Sequence, residues 1–153
     1  MSAERVTLDT NILFYAFDAH DPRKQEQAVR IIRAAAHGDC ALTLQAVGEF
    51  YVAITRKAKM APADARREVE ALLNSFETIP ATANAHRIAA NEAANGRFGY
   101  WDAVLLASAA EAGCTLIFSE DVKDGARLGT ITVRNPFGAK GLSAAARAAL
   151  ELE

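Results

Sequence analysis

The chain is organised by a rhythm of short apolar runs, at residues 6–8, 40–44, 115–118 and 130–133, separated by longer stretches with helical spacing. Runs this short and this apolar carry no charged residue to turn toward water and read as strands covered on both faces. Strands separated by helices are joined by crossovers rather than tight hairpins, and they lie parallel with the helices packed above and below. The expected architecture is an α/β domain of three layers, with a mostly parallel central sheet flanked by helices.

Turn and cap residues set the expected boundaries. Residues 11–17 read as a first helix, and Pro22 opens a second that runs to about residue 36 before the Gly38-Asp39 turn. The strand at 40–44 leads into a helix to about residue 59. Pro62 then sits in the first turn of another helix, which ends near residue 76 ahead of a short strand at 77–79. Helices at 82–95 and 101–112 are closed by Gly96 and Gly113. Beyond Pro136, an Ala-rich tail over 138–153 reads as a short helical extension.

Bulk properties narrow the function classes. A length of 153 residues at 51% hydrophobic content suits one compact domain. The formal charge of −2 advertises no global affinity for nucleic acid, although a local basic stripe remains compatible with it. Cys40 and Cys114 lie far apart with no second pair, which disfavours a zinc site or disulfide framework and suits core positions in a reducing compartment. Without a signal-like segment or an apolar run of roughly 18 residues, a cytoplasmic location without membrane contact is expected. His20, His37 and His86 have no nucleophile beside them and read as solvated surface, and no glycine-rich phosphate loop is present.

The acids are more informative. Asp9 is the only charged residue between Arg5 and Asp18, Glu49 the only one between Asp39 and Arg56, and Asp102 the only one between Arg97 and Glu111. Glu120 and Asp121 follow the apolar run that ends in Ile117-Phe118-Ser119. Ligands of parallel sheets bind beyond the carboxyl ends of the strands, where Asp9 and Asp121 fall. Carboxylates gathered there without a counter-charge repel one another, and a hard divalent cation such as Mg²⁺ or Mn²⁺ relieves that repulsion. Each acid also has a structural reading: Asp9 and Asp102 as helix caps, Asp121 in an Asx turn, and Glu49 in a buried ion pair or at the surface. Asn11 and Ser119 read as polar supports behind the acids.

The ordered set Leu8-Asp9-Thr10-Asn11-Ile12-Leu13, Glu49-Phe50-Tyr51, Trp101-Asp102-Ala103 and Ser119-Glu120-Asp121, closed by Val133-Arg134-Asn135-Pro136-Phe137, resembles the PIN-domain ribonucleases. The length and the Ser-Glu-Asp form of the fourth element resemble the toxins of VapBC toxin–antitoxin pairs. The resemblance places a PIN domain over residues 1–137 and the extension at 138–153. It implies RNA cleavage with Mg²⁺ or Mn²⁺ held by Asp9, Glu49, Asp102 and Asp121, with Asp124 an alternative fourth acid. It further implies a small antitoxin as partner and a homodimer. The apolar helix segments 50–54, 89–94 and 105–112 supply surface for self-association. Arg23, Lys24, Arg56, Lys57, Lys59 and Arg97 are candidates for the basic rim that a polyanionic substrate needs. Two rivals are a phosphoaspartate protein and a catalytically silent PIN interaction module. The first is disfavoured by Asn11, where a phosphatase needs Asp, and the second by the presence of all four acids.

Overall fold

The computed structural model describes residues 4–152, so the outermost residues of the two expected spans, 1–3 and 153, lie outside the described part. Strand β1 (Val6–Leu8) leads into helices α1 (Thr10–Tyr15) and α2 (Pro22–His37). Strand β2 (Ala41–Thr43) is followed by α3 (Leu44–Arg56) and α4 (Pro62–Ser75), and β3 (Glu77–Ile79) by α5 (Ala83–Ala94) and α6 (Tyr100–Glu111). Then come β4 (Leu116–Phe118), β5 (Arg127–Leu128), β6 (Ile131–Arg134), β7 (Phe137–Gly138), β8 (Gly141–Leu142) and α7 (Ala144–Ala149).

The expected three-layer architecture is present. Strands β1, β4 and β6 pair in parallel, and β2 pairs in parallel with β3. A bridge between Val6 and Cys40 joins the two groups. Across the sheet the order therefore runs β3, β2, β1, β4, β6, β5, with β5 antiparallel at the edge. Leu8, Leu42, Leu116 and Phe118 face one core together with Ile12, Ile31, Phe50 and Ile54. Ile117, Ile131 and Val133 face the other, against Ala85, Ala89 and α6. Helix α6 has no polar side: Ala103 through Ala109 are all buried, as a helix wedged between sheet and α5 requires.

Local chemistry sets the helix ends. Asp21, Thr43, Thr82 and Ser143 each cap a helix by accepting a backbone N–H from three residues ahead. Gly113 follows the last turn of α6 with φ +88°, a left-handed conformation that glycine adopts at little cost. Three features differ from the sequence expectation. The edge strand β5 turns into β6 through Gly129-Thr130, with φ +58° at Gly129, and so makes a tight hairpin. The tail opens with the β7–β8 hairpin before α7. The apolar segments from which self-association was expected are largely consumed inside the protomer, since Phe50, Ile54, Ala89 and Leu105 through Ala109 are buried.

Leu142 and Ala146 of the tail join the same core as β1 and α1. Leu142→Ala should therefore lower stability to urea by about 2–5 kcal/mol, the usual cost of such a truncation in a core. A tail that merely rests on the surface would leave the urea midpoint unchanged.

Candidate active site

Parallel register builds the site. Leu8 pairs with Phe118 and Phe118 with Arg134, so Asp9 and Ser119 lie side by side one residue past the ends of β1 and β4. Backbone bonds hold both: Asp9 N–H donates to the Phe118 carbonyl (3.0 Å), and Ser119 N–H to that of Arg134 (3.1 Å). The chain crosses from one side of β1 to the other between β3 and β4, which makes this the switch point of the sheet.

Asp9 is 8% exposed and both caps α1 and faces the site. One carboxylate oxygen accepts from Thr10 N–H (2.7 Å), and Ser119 Oγ donates to the other at 2.6 Å. Asn11 Nδ2 lies 3.4 Å from both Asp9 Oδ2 and Ser119 Oγ, while Asn11 Oδ1 accepts from Glu120 N–H (3.3 Å). Ser119 Oγ also accepts from the N–H groups of Asp121 (3.2 Å) and Val122 (3.3 Å). The turn after β4 is thus closed by the serine hydroxyl, and not by Asp121 as the Asx-turn reading would have it.

A cleft of about 830 Å³ opens over these groups. Asp9, Glu49, Asp102 and Asp121 all line it, with Asn11, Tyr15, Gln45, Arg56 and Lys57. Glu49 comes from the exposed side of α3, one residue before the buried Phe50. Asp102 does not cap α6: the cap position is Gly99, and Asp102 stands in the first helical turn. Among the described residues, the carboxylates of Glu49, Asp102 and Asp121 have no hydrogen bond or ion pair with the protein.

Two nearby acids are occupied elsewhere. Glu120 accepts from Tyr15 Oη (2.5 Å) and pairs with Lys24, and Asp124 accepts from Asn135 N–H (2.9 Å) and Arg134 Nε (3.2 Å). Partial burial works against ionisation of Glu120, but its Lys24 and Tyr15 hydrogen bonds hold its carboxyl below the usual range. Of the basic candidates, Arg56 and Lys57 line the cleft. Arg23 donates to the Ala139 carbonyl (2.7 Å), Arg97 pairs with Glu92 (2.5 Å), and Lys59 lies beyond α3 with φ 56°.

The electrostatics are those of an under-neutralised acid cluster. Burial pushes the Asp9 carboxyl up; the bonds from Ser119 and Thr10 pull it down, and Asp121 and Asp102 push it up again. Asp102 is likewise raised by desolvation and by Asp121. Among the described residues no three His, Cys, Asp or Glu side chains converge as a finished metal cage. The donor chemistry nevertheless fits a hard divalent cation, being all oxygen, mutually repulsive and free of an internal cation. Gln45 adds a further oxygen: its Nε2 donates to the Trp101 carbonyl (3.1 Å), and its Oε1 is buried without a partner.

Sequence reasoning passed over Gln45, Tyr15 and His86. His86 is half-buried and not free in solvent: its Nδ1 lies 2.5 Å from Tyr100 Oη, beside the helix turn that carries Asp102. No local signal marks the pair, because His86 lies on α5 and Tyr100 on α6.

Fold and cleft together define an α/β protein with an acidic site at the switch point of a parallel sheet. The model of the PIN domain matches residues 6–124, and the chain belongs to that family. No curated protein matches the chain by sequence. Among solved structures, it is similar to VapC20 of Mycobacterium tuberculosis, a sarcin–ricin-loop-cleaving toxin, with TM-score 0.60 and 16% identity over 76% of this chain and 89% of that one. A toxin–antitoxin complex from Klebsiella pneumoniae gives TM-score 0.61 and 19% identity over 83% and 95% of the two chains. DNA-bound VapBC from Salmonella typhimurium gives 0.61 and 18% over 86% and 98%. At these identities the likeness is one of fold.

The raised acids determine how stability depends on pH. A carboxyl whose folded pKa lies above its unfolded value destabilises the fold as pH rises from about 4 through the raised value. Without divalent ions, Asp102→Asn should therefore melt at a higher temperature than the parent at pH 7. The difference should close below about pH 4, where both side chains are neutral. Equal melting temperatures across this range would show that the cluster carries no net repulsion.

Proposed function

We propose that this PIN-domain protein is a divalent-metal-dependent ribonuclease and the toxin of a toxin–antitoxin pair. The observation that supports the nuclease reading is the gathering of Asp9, Glu49, Asp102 and Asp121 along one cleft, with Arg56 and Lys57 on the same lining. Mg²⁺ or Mn²⁺ held by those four acids would supply a Lewis acid and an activated water for attack on a phosphodiester.

The chain's own groups do the rest. The Ser119 hydroxyl and the Thr10 N–H fix both oxygens of Asp9, so the least accessible acid is also the least free to move. Asn11 ties that acid to the turn after β4. Arg56 and Lys57 offset the acidic field for an approaching polyanion and bind its phosphates. Lys57 lies 5.7 Å from the centre of the Phe14 ring, which holds its ammonium at the cleft.

The toxin role draws on the similar structures, of which VapC20 is a sarcin–ricin-loop-cleaving toxin, the Klebsiella structure a toxin–antitoxin complex and the Salmonella structure DNA-bound VapBC. Phe14, Leu44, Val52 and Ala53 give the cleft an apolar flank on which an antitoxin helix would lie. A basic antitoxin side chain would then complete the unpaired acids with charge-assisted hydrogen bonds. Homodimer formation rests on the family resemblance alone, since the apolar helix segments are covered within one protomer.

Purified protein incubated with structured RNAs should cut them with Mg²⁺ or Mn²⁺ and not with EDTA. Asp9→Asn and Asp102→Asn should each lower the rate by on the order of 100-fold or more, the scale of losing one charge-stabilising group. Arg56→Ala with Lys57→Ala should raise KM and flatten its salt dependence. Full activity in either acid variant contradicts the assignment.

Expression of the chain alone should arrest growth, and co-expression of its antitoxin should relieve the arrest. Folded, RNA-cleaving protein that leaves growth untouched would make this a PIN nuclease without a toxin role.

A further inference from the structure

We propose that Trp101 is a stacking platform that receives an unpaired base of single-stranded RNA next to the phosphate held in the acidic cleft. The inference rests on the nuclease reading above and extends it to how the substrate is gripped.

Trp101 is 62% exposed, the most exposed of the large hydrophobic side chains among the described residues. An indole this exposed offers a large flat face to a planar partner. It is also held in place. The Tyr100 ring meets it nearly perpendicularly at 5.3 Å between centroids, and the His86 ring does so at 6.1 Å. His86 in turn is bonded to Tyr100 Oη, so α5 braces the first turn of α6. Gln45, which lines the cleft, donates to the Trp101 carbonyl and ties the same turn to α3. A ring fixed from two helices loses little freedom when a planar partner stacks on it.

The position selects the partner. Trp101 immediately precedes Asp102 and its carbonyl is bonded to Gln45 of the cleft lining, so the turn that carries the indole borders the cleft, within reach of a base flanking a phosphate held among the acids. Bases are flat, apolar on their faces and unpaired in loops, and aromatic side chains hold them without demanding a particular sequence. A stacked base also supplies attraction that the phosphates cannot find among four carboxylates.

The chain contains a single tryptophan, so its fluorescence reports on this position alone. With EDTA present to keep the strand intact, titration with a single-stranded hexaribonucleotide should quench the fluorescence saturably. An abasic ribose-phosphate hexamer of equal charge should not. Trp101→Ala should weaken binding, read by anisotropy of end-labelled RNA, by about tenfold or more, and should raise KM more than it lowers kcat. Trp101→Phe should recover most of the loss. Cleavage with Mg²⁺ by a Trp101→Ala protein of parental KM overturns the platform and leaves the nuclease standing. Neither binding nor cleavage by the parent overturns both. Loss of antitoxin binding in Trp101→Ala at unchanged RNA affinity and KM reassigns the ring to protein docking and overturns the proposal.

Discussion

The site depends on the in-register pairing of β1 with β4. Leu8 opposite Phe118 leaves Asp9 and Ser119 adjacent beyond the strand ends, and the 2.6 Å bond between them joins positions 110 residues apart in the chain. A slip of β4 by one residue would send Leu116 and Phe118 to the opposite face and separate the pair. The two cores, which divide Leu116 and Phe118 from Ile117 between the faces, enforce the register. The position of the buried carboxylate is thus a consequence of apolar packing on both sides of the sheet.

The same packing explains why the acids are unequal. Asp9 lies at the floor, desolvated and bonded twice, while Glu49, Asp102 and Asp121 approach from α3, α6 and the turn after β4 with no partner among the described residues. Adjacent Glu120 has the opposite fate, bonded to Tyr15 and Lys24, and the Tyr15 ring packs edge-on against Phe137 of the tail. Two consecutive acids therefore serve different neighbourhoods, one lining the cleft and one tying the turn after β4 to α1 and α2.

Much of this is legible in the sequence because it follows from local rules. Short apolar runs between helical stretches required a covered parallel sheet, and Pro22, Pro62, Gly96 and Gly113 marked helix ends through backbone preferences that need no tertiary context. The lone acids at 9, 49 and 102 stood out because each sits among uncharged residues. What escaped depends on tertiary neighbours. The edge strand β5 and the β7–β8 hairpin are two residues per strand, too short to show a period. Nothing local distinguishes Asp121 from Asp124. Their separation follows from Ser119 closing the turn while Asn135 and Arg134 bind Asp124. His86 looked solvated because its partner, Tyr100, is supplied by the next helix.

A cluster of carboxylates with no internal cation raises the question of what lets the chain fold around it. Two of the acids stand at helix starts, Asp9 at the cap of α1 and Asp102 in the first turn of α6. There the unsatisfied N–H groups place partial positive charge, and an anion gains typically about 0.3–1 kcal/mol. Glu49 and Asp121 remain exposed, so water screens them. Only Asp9 is both buried and acidic, and it holds the direct Thr10 and Ser119 donors. The fold thus limits the cost of the cluster by helix-end placement, solvent exposure and two hydrogen bonds, without consuming a lysine or arginine to neutralise it. Arg56 and Lys57 line the same cleft without forming an ion pair with any of the four acids, and Lys24 is bound to Glu120. Residual negative charge is therefore left in the cleft, available to whatever cation enters it.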